Sequence, residues 1–472
     1  MRIGVIGSGF GGVGVAVELL RHGHTDVRLW ERADDLGGVW RDNDYPGAGC
    51  DVPSPLYSYS WAPTSRWHRR YALRDQIHEY LHDVAERFGV AERISYGRTV
   101  TELSWDEAAQ LWHVRFADGS SEEVEVVISA VGQLSEPHVP PLPGVDSFAG
   151  DSFHSARWDH DVAIEGRRVA VVGVGASAIQ FVPHLADRAA EVTLFQRSAN
   201  YILPKPDGPF PRWYAPAVRV ERPIFRSIGE RFSYGMHDGS KVGAVQQRAA
   251  LAHLRRQVRD PELRAVLTPD TPIGCKRILF SNNFYPTVTR PHVHVVASRV
   301  DEVAPEGVRA GGDLHEADVL IWGTGFATQD FLAGIEVHGR DGAKLDKQWA
   351  DGARAHLGVH VPGFPNLFVA YGPNTNLGGS SIIVMLEAQA RHIRSMLDRM
   401  QAAGARTVEA TPAAEEAWDA EVQGRLATTT WAHCASWYRH PVSGRITSNW
   451  PGGTYEYEER LATIRSEDFA WT

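Results

Sequence analysis

Closely spaced cysteines are missing from this sequence. Three occur in 472 residues, Cys50, Cys275 and Cys434, without the close spacing of a metal knuckle or a redox dithiol. They are expected to stand unpaired in a reducing, cytoplasmic setting, with no metal site. A run of about 18 apolar residues is also missing, so no membrane-spanning helix is expected. The first apolar strand pattern begins at residue 2, which leaves no room for a signal peptide in the expected organisation. There is no basic excess: the net charge of -10 disfavours nucleic acid or an anionic membrane as the main partner. Arginine outnumbers lysine 43 to 5, a coding bias more than a function, but one that makes each lysine conspicuous. Low-complexity tracts are absent. What remains, 43% apolar and 22% charged, is an ordinary globular chain with length for two or three domains.

One device occurs twice. Residues 2–7, RIGVIG, read as a short buried strand, followed by the turn Gly7-Ser8-Gly9-Phe10-Gly11-Gly12 and a helical pattern. The next strand, DVRLWE, ends on Glu31. Strand, glycine turn, helix, strand and acid is the order of a dinucleotide-binding unit. Gly7 permits the tight turn, Gly9 the approach of a pyrophosphate, and Gly12 the packing of helix on strand. The helix N-terminus offers free N–H groups to phosphate. RRVAVVG, Gly173-Val174-Gly175-Ala176-Ser177-Ala178, AIQFVPHLA and EVTLFQR repeat the order. Gly7 and Gly173, Gly9 and Gly175, Gly12 and Ala178, and Glu31 and Arg197 are each 166 residues apart. A carboxylate suits a ribose 2′-hydroxyl, whereas a guanidinium suits a 2′-phosphate. The first loop therefore suits FAD and the second NADP(H).

Two nucleotides in one chain imply hydride transfer from NADPH to the flavin. A disulfide reductase of this build needs a close cysteine pair after the first unit, and Cys50 stands alone. Reaction of the reduced flavin with oxygen is the leading option.

Residues 37–51, GGVWRDNDYPGAGCD, fit the pattern [A/G]GxWxxxx[F/Y]P[G/M]xxxD through Gly37, Gly38, Trp40, Tyr45, Pro46, Gly47 and Asp51. Phe148, Gly150, His154, Trp158 and Asp159 form a second spaced set. With GTGF (323–326), GPNTNLG (372–378) and the SWY and NWPGG stretches near the C-terminus, these resemble the type I Baeyer–Villiger monooxygenases over most of the chain. The resemblance implies an α/β fold of two Rossmann-like dinucleotide-binding domains with a small helical insert. It also implies NADPH- and O2-dependent insertion of one oxygen beside a ketone carbonyl through a C4a-peroxyflavin, giving an ester or lactone. The alternatives are an N- or S-oxygenating flavin-containing monooxygenase and a flavin sensor or uncoupled NADPH oxidase.

The resemblance implies Arg277 as the active-site cation, Asp51 as the acid that orients it, and Lys276 as a holder of the 2′-phosphate. It places Val39, Trp40 and Tyr57 at FAD, and Gln180 and Ser198 beside the NADP loop. Trp431 is matched to a tryptophan near NADP, with Trp437 as its rival. His154 is expected to organise a connection between domains by satisfying backbone groups. The expected organisation is an FAD domain over 1–143 and 328–472, a linker over 144–159, an NADP domain over 160–202 and 272–327, and a helical insert over 203–271. The insert is shorter than in well-studied members of the family, a departure that bears on the substrate pocket and leaves the cofactor loops intact.

Overall fold

The computed structural model describes residues 1–210, 218–332, 334–434 and 436–472. Its framework is two five-stranded parallel sheets. The first runs Leu367–Val369, Val126–Ser129, Ile3–Ile6, Val27–Trp30 and Ile94–Ser95. The second runs Asp151–His154, Val319–Trp322, Arg168–Val172, Glu191–Phe195 and Val293–Val296. In each, the strand that enters the glycine loop lies at the centre. Runs such as IGVI and VVIS are buried throughout, as expected of strands covered on both faces. Each sheet carries its helix, Phe10–Arg21 or Ala176–Ala186, directly after the loop. The α/β expectation of two Rossmann-like units is borne out.

The two sheets are completed in opposite ways. The outermost strand of the first comes from late in the chain, Leu367–Val369. The corresponding strand of the second comes from before its glycine loop, Asp151–His154, in register with Val319–Trp322. The second spaced motif thus holds an edge strand, which its sequence does not reveal because four residues at an edge carry no alternation to read. His154 Nδ1 accepts the Ala156 N–H at 3.0 Å, and burial pushes the imidazole pKa down to about 4. The ring is neutral at pH 7 and serves the backbone, as expected. Phe148 is partly buried against the apolar cluster that includes Val300, Val303 and Leu320. Trp158 packs on Phe153, Phe181 and Tyr45, which ties the strand to the 37–51 loop.

Two antiparallel additions were not legible as separate units: strands 100–106, 111–116 and 121–124 beside the first sheet, and 300–304, 307–310 and 313–316 beside the second. The insert contains Val218–Ser233, Lys241–Gln257 and Pro261–Val266, so its helical character holds. Its proline-rich opening runs into 211–217, outside the described residues. Arg222 and Glu230 anchor the first insert helix to Glu387 and Thr454. Among the described residues no helix is long and apolar enough to cross a membrane.

The C-terminal core contains a fully enclosed histidine pair. His392 Nδ1 donates to the Leu461 carbonyl at 2.8 Å, so its Nε2 accepts from His360 Nε2, also at 2.8 Å. Burial is the main cause that lowers the His392 pKa from 6.5 to about 4. The unfolded chain takes up this proton first, so the group's stabilisation is complete above pH 6.5 and is lost as pH falls toward 4. The expected loss from His392 is on the order of 3 kcal/mol at the acid end. Urea unfolding at a series of pH values checks this; His392→Gln should flatten the acid slope, and an unchanged slope would refute the assignment.

Candidate functional site

The two glycine loops are built alike. Gly7 and Gly173 have φ of +99° and +97°, where a side chain would be strained. A Cβ at Gly7 would lie 2.7 Å from the Ala130 carbonyl oxygen, and one at Gly173 2.5 Å from that of Gly323. A Cβ at Gly12 would lie 1.9 Å from the Gly7 oxygen, so helix and strand demand glycine there. Ala178, its counterpart, is fully buried. Gly9 and Gly175 differ. A Cβ at Gly9 would meet nothing nearer than 3.6 Å, and one at Gly175 nothing within 4 Å. No protein atom requires glycine at these two positions, whereas close approach of a pyrophosphate does. The residues present therefore fit two dinucleotides.

The ends of the second strands carry opposite charges. Glu31 is buried and takes four protein donors: Ser8 N at 3.0 Å, Ser8 Oγ at 2.7 Å, Ala33 N at 3.1 Å and Arg41 Nη1 at 2.9 Å. Its carboxylate braces the first loop. Arg197 is exposed and, among the described residues, makes no hydrogen bond or ion pair. Lys276 stands beside it, its Nζ donating to Ser198 O at 3.1 Å and to Ser198 Oγ. Burial first, and then Arg197, lower the Lys276 pKa. Two cations side by side at a strand end suit an anion.

The 37–51 loop bridges the two units. Gly37 N donates to Ser8 O at 3.1 Å, which seats the loop on the first glycine turn. Val39 and Trp40 follow at the start of a short helix, and Trp40 Nε1 donates to Tyr57 Oη at 3.0 Å. At the other end, Tyr45 Oη and Gly49 N donate to Gln180 Oε1 at 3.0 and 3.2 Å, and Gln180 Nε2 donates to Gly49 O at 2.9 Å. Ser177 also hydrogen-bonds Tyr45, whose pKa burial pushes up to about 12. Gln180 and Ser177 thus join the second unit to the loop of the first.

Asp51 ends the loop close to Arg277. The Arg277 surface is open, but the residue lies deep. Loss of solvent works against its charge, and Asp51, then Tyr438, Tyr371 and Cys50, outweigh that loss, so the pKa is raised. The direct partner of Asp51 is Lys205, which sequence reasoning did not single out. Lys205 Nζ donates to Asp51 Oδ1 at 3.0 Å and to Cys50 O at 2.9 Å, and lies 5.0 Å from the Tyr71 ring centroid. Its signal was the scarcity of lysine, not a motif. Lys205→Met is expected to destabilise the enzyme by about 1–3 kcal/mol, since it strands a largely buried carboxylate. Denaturant unfolding of the FAD-loaded protein checks this, and Lys205→Arg should recover most of the loss.

Trp431 is buried, packed toward Gly378 in the main core, whereas Trp437 is 40% exposed. Cys275 and Cys434, 159 residues apart in sequence, are joined by a disulfide. This corrects the expectation of three unpaired cysteines; so long a separation leaves no spacing to read. The bond fixes the turn Thr430–His433 to the segment that carries Lys276 and Arg277. Cys50 is free and buried, its pKa pushed up to about 12 by burial above all, so it is a poor nucleophile at neutral pH.

A family model described as flavin-binding monooxygenase-like matches residues 1–233. A Streptomyces coelicolor protein named Baeyer-Villiger monooxygenase is 42% identical over 98% of this chain and 91% of its own length. The chain belongs to the Baeyer–Villiger monooxygenase family. A Pseudomonas aeruginosa protein of the same name is 38% identical over 97% of this chain and 88% of its own length. The structure of OTEMO in complex with FAD and NADP is similar over 100% of this chain and 99% of that one, with a TM-score of 0.91 and 28% identity. The resemblance first seen in the two spaced motifs is borne out, and the similarity extends through the insert and the C-terminal part of the enzyme.

Proposed function

We propose that this family member is an FAD-containing, NADPH-dependent monooxygenase that inserts one atom of O2 beside a ketone carbonyl. The observation that carries the reading is Arg277, a cation held charged beside Asp51, Tyr371 and Tyr438. Gly7, Gly9, Gly12 and Glu31 would hold the FAD pyrophosphate and ribose, with Val39, Trp40 and Tyr57 toward the rest of the cofactor. Gly173, Gly175, Ser177 and Ala178 would hold the NADP(H) pyrophosphate, and Arg197, Ser198 and Lys276 its 2′-phosphate. The exposed indole of Trp437 favours it over Trp431 for contact with the nicotinamide nucleotide. Bound FAD, reduced by NADPH, supplies the activation of oxygen.

The residues decide what the activated oxygen attacks. A guanidinium stays charged when desolvated, and its field favours a negatively charged oxygen over a protonated one. An anionic oxygen is a nucleophile for carbonyl carbon, whereas a protonated one oxidises soft sulfur or amine nitrogen. Arg277 then offsets the negative charge that forms on the carbonyl oxygen when the attacking oxygen adds, a charge that persists until a neighbouring carbon migrates. Asp51 keeps Arg277 in place, and Lys205 keeps Asp51 in place. A cytoplasmic setting would supply NADPH.

Turnover of a ketone panel under oxygen-18 gas tests the reading. The expected product is an ester or lactone carrying one labelled oxygen from at least one bulky or cyclic ketone. Efficient hydroxylation of amines with no insertion product across the panel would replace this reading by heteroatom oxygenation.

A further inference from the structure

Three ligand-type side chains converge away from Arg277. Helix Arg74–Arg87 carries His78 and His82, four residues apart and therefore on one helix face. The turn after strand Val27–Trp30 brings Asp35 against that face. His78 Nε2 lies 3.1 Å from Asp35 Oδ2, and His82 Nε2 lies 3.0 Å from Asp35 Oδ1. The two nitrogens and a carboxylate oxygen all lie within 4.8 Å of one another. Among the described residues this is the only group of three His, Cys, Asp or Glu side chains so placed.

We propose that Asp35, His78 and His82 bind one divalent transition-metal ion of the zinc class. Two imidazoles and a carboxylate form a donor set that zinc-class ions favour. Ligands at ~2.0–2.1 Å from a tetrahedral ion sit about 3.3–3.4 Å apart, close to the 3.1 and 3.0 Å between each histidine nitrogen and Asp35. The imidazole rings cross at 76° with centroids 4.8 Å apart, so they approach a shared point rather than stack. All three groups are half-buried, which leaves solvent access for the remaining coordination positions. Without an ion, His78 Nε2 shares one proton between Asp35 and the Leu36 carbonyl at 2.9 Å. Ion binding moves that proton to Nδ1 and frees the Nε2 lone pair.

The surroundings already hold the ligands in place. A Cβ at Gly37 would come within 2.6 Å of the His78 ring, so the imidazole rests against the turn backbone. Arg41 Nη1 donates to the Asp35 carbonyl at 2.6 Å and fixes the other side. The same turn continues into Gly37 and Gly38, and Gly37 is bonded to Ser8 of the first glycine loop. A bound ion therefore braces that loop against helix Arg74–Arg87.

Chelator-treated, FAD-loaded enzyme should be titrated with zinc chloride against a chromophoric chelator. The expected result is one high-affinity ion per chain, a thermal midpoint raised by zinc, and at least a tenfold loss of affinity in His82→Ala. Asp35→Asn, which keeps the side-chain shape, should lose affinity in the same direction and guards against misfolding of the histidine variant. Cobalt(II) bound by the wild type should show visible ligand-field absorption that both variants lack. Binding curves that superimpose for the wild type and both variants would overturn the assignment, including the case in which zinc binds elsewhere among the 21 histidines.

Discussion

Arg277→Ala is expected to lower ketone oxygenation by about 10²–10³ while NADPH is still consumed and hydrogen peroxide is released instead. The argument begins with what the alanine leaves behind. Asp51 retains Lys205 at 3.0 Å, so the variant does not strand a buried carboxylate and should fold and hold FAD. Neither of the two lysines described beside it is free to replace the guanidinium. Lys205 is occupied by Asp51 and the Cys50 carbonyl, and Lys276 by Ser198. The Asp51 carboxylate is the main support of the Arg277 charge against the loss of solvent around it. That fixed charge disappears in the variant, and with it the preference for an anionic oxygen at the carbonyl. Arg277→Lys keeps the charge but loses the fork and some reach, so it should fall between the two. The ratio of ester formed to NADPH consumed, together with a peroxide assay, measures the effect. An alanine variant that couples nearly as well as the wild type would remove Arg277 from its proposed role.

The parts of the fold that were legible are those where backbone and ligand demand a residue type. Gly7 and Gly173 need positive φ, Gly12 and Ala178 need small size, and the short apolar runs beside them can only be buried strands. The 37–51 loop was legible as a motif, but what it does structurally was not. Its bonds to Gln180 and Ser8 depend on how two distant units meet, and no local spacing encodes that. Strand Asp151–His154 was hidden for a similar reason: it is defined by pairing with residues 319–322, not by its own pattern. Lys205 and the Cys275–Cys434 bond belong to the same class, made by partners 154 and 159 residues away. At the candidate site, the residue types were readable wherever chemistry restricts them, as with Arg197 opposite Glu31. Their supporting partners became visible only in three dimensions.

Arg197→Ala is expected to raise the KM for NADPH about 10- to 150-fold and to leave the KM for NADH almost unchanged. The range follows from the loss of charge-assisted phosphate contacts worth about 1.5–3 kcal/mol. Arg197 suits this test because, among the described residues, it makes no hydrogen bond or ion pair that its removal would break. Its replacement should therefore not unsettle the fold, and any change in KM reports on the coenzyme. Lys276 would support the same phosphate, but its Nζ is also bonded to Ser198, so Lys276→Met mixes lost contact with local rearrangement. Removal of either cation relieves the repulsion on the other, since Arg197 lowers the Lys276 pKa. The two substitutions should consequently be less than additive, as expected for neighbours that share one anion. Glu31, at the matching place in the first unit, gives the contrast: a carboxylate there repels a 2′-phosphate, and Glu31 takes donors from Ser8, Ala33 and Arg41. Steady-state rates with both coenzymes, measured on the wild type, the two single variants and the double variant, separate these contributions. Equal losses for NADPH and NADH in Arg197→Ala would mean that the guanidinium does not read the 2′-phosphate.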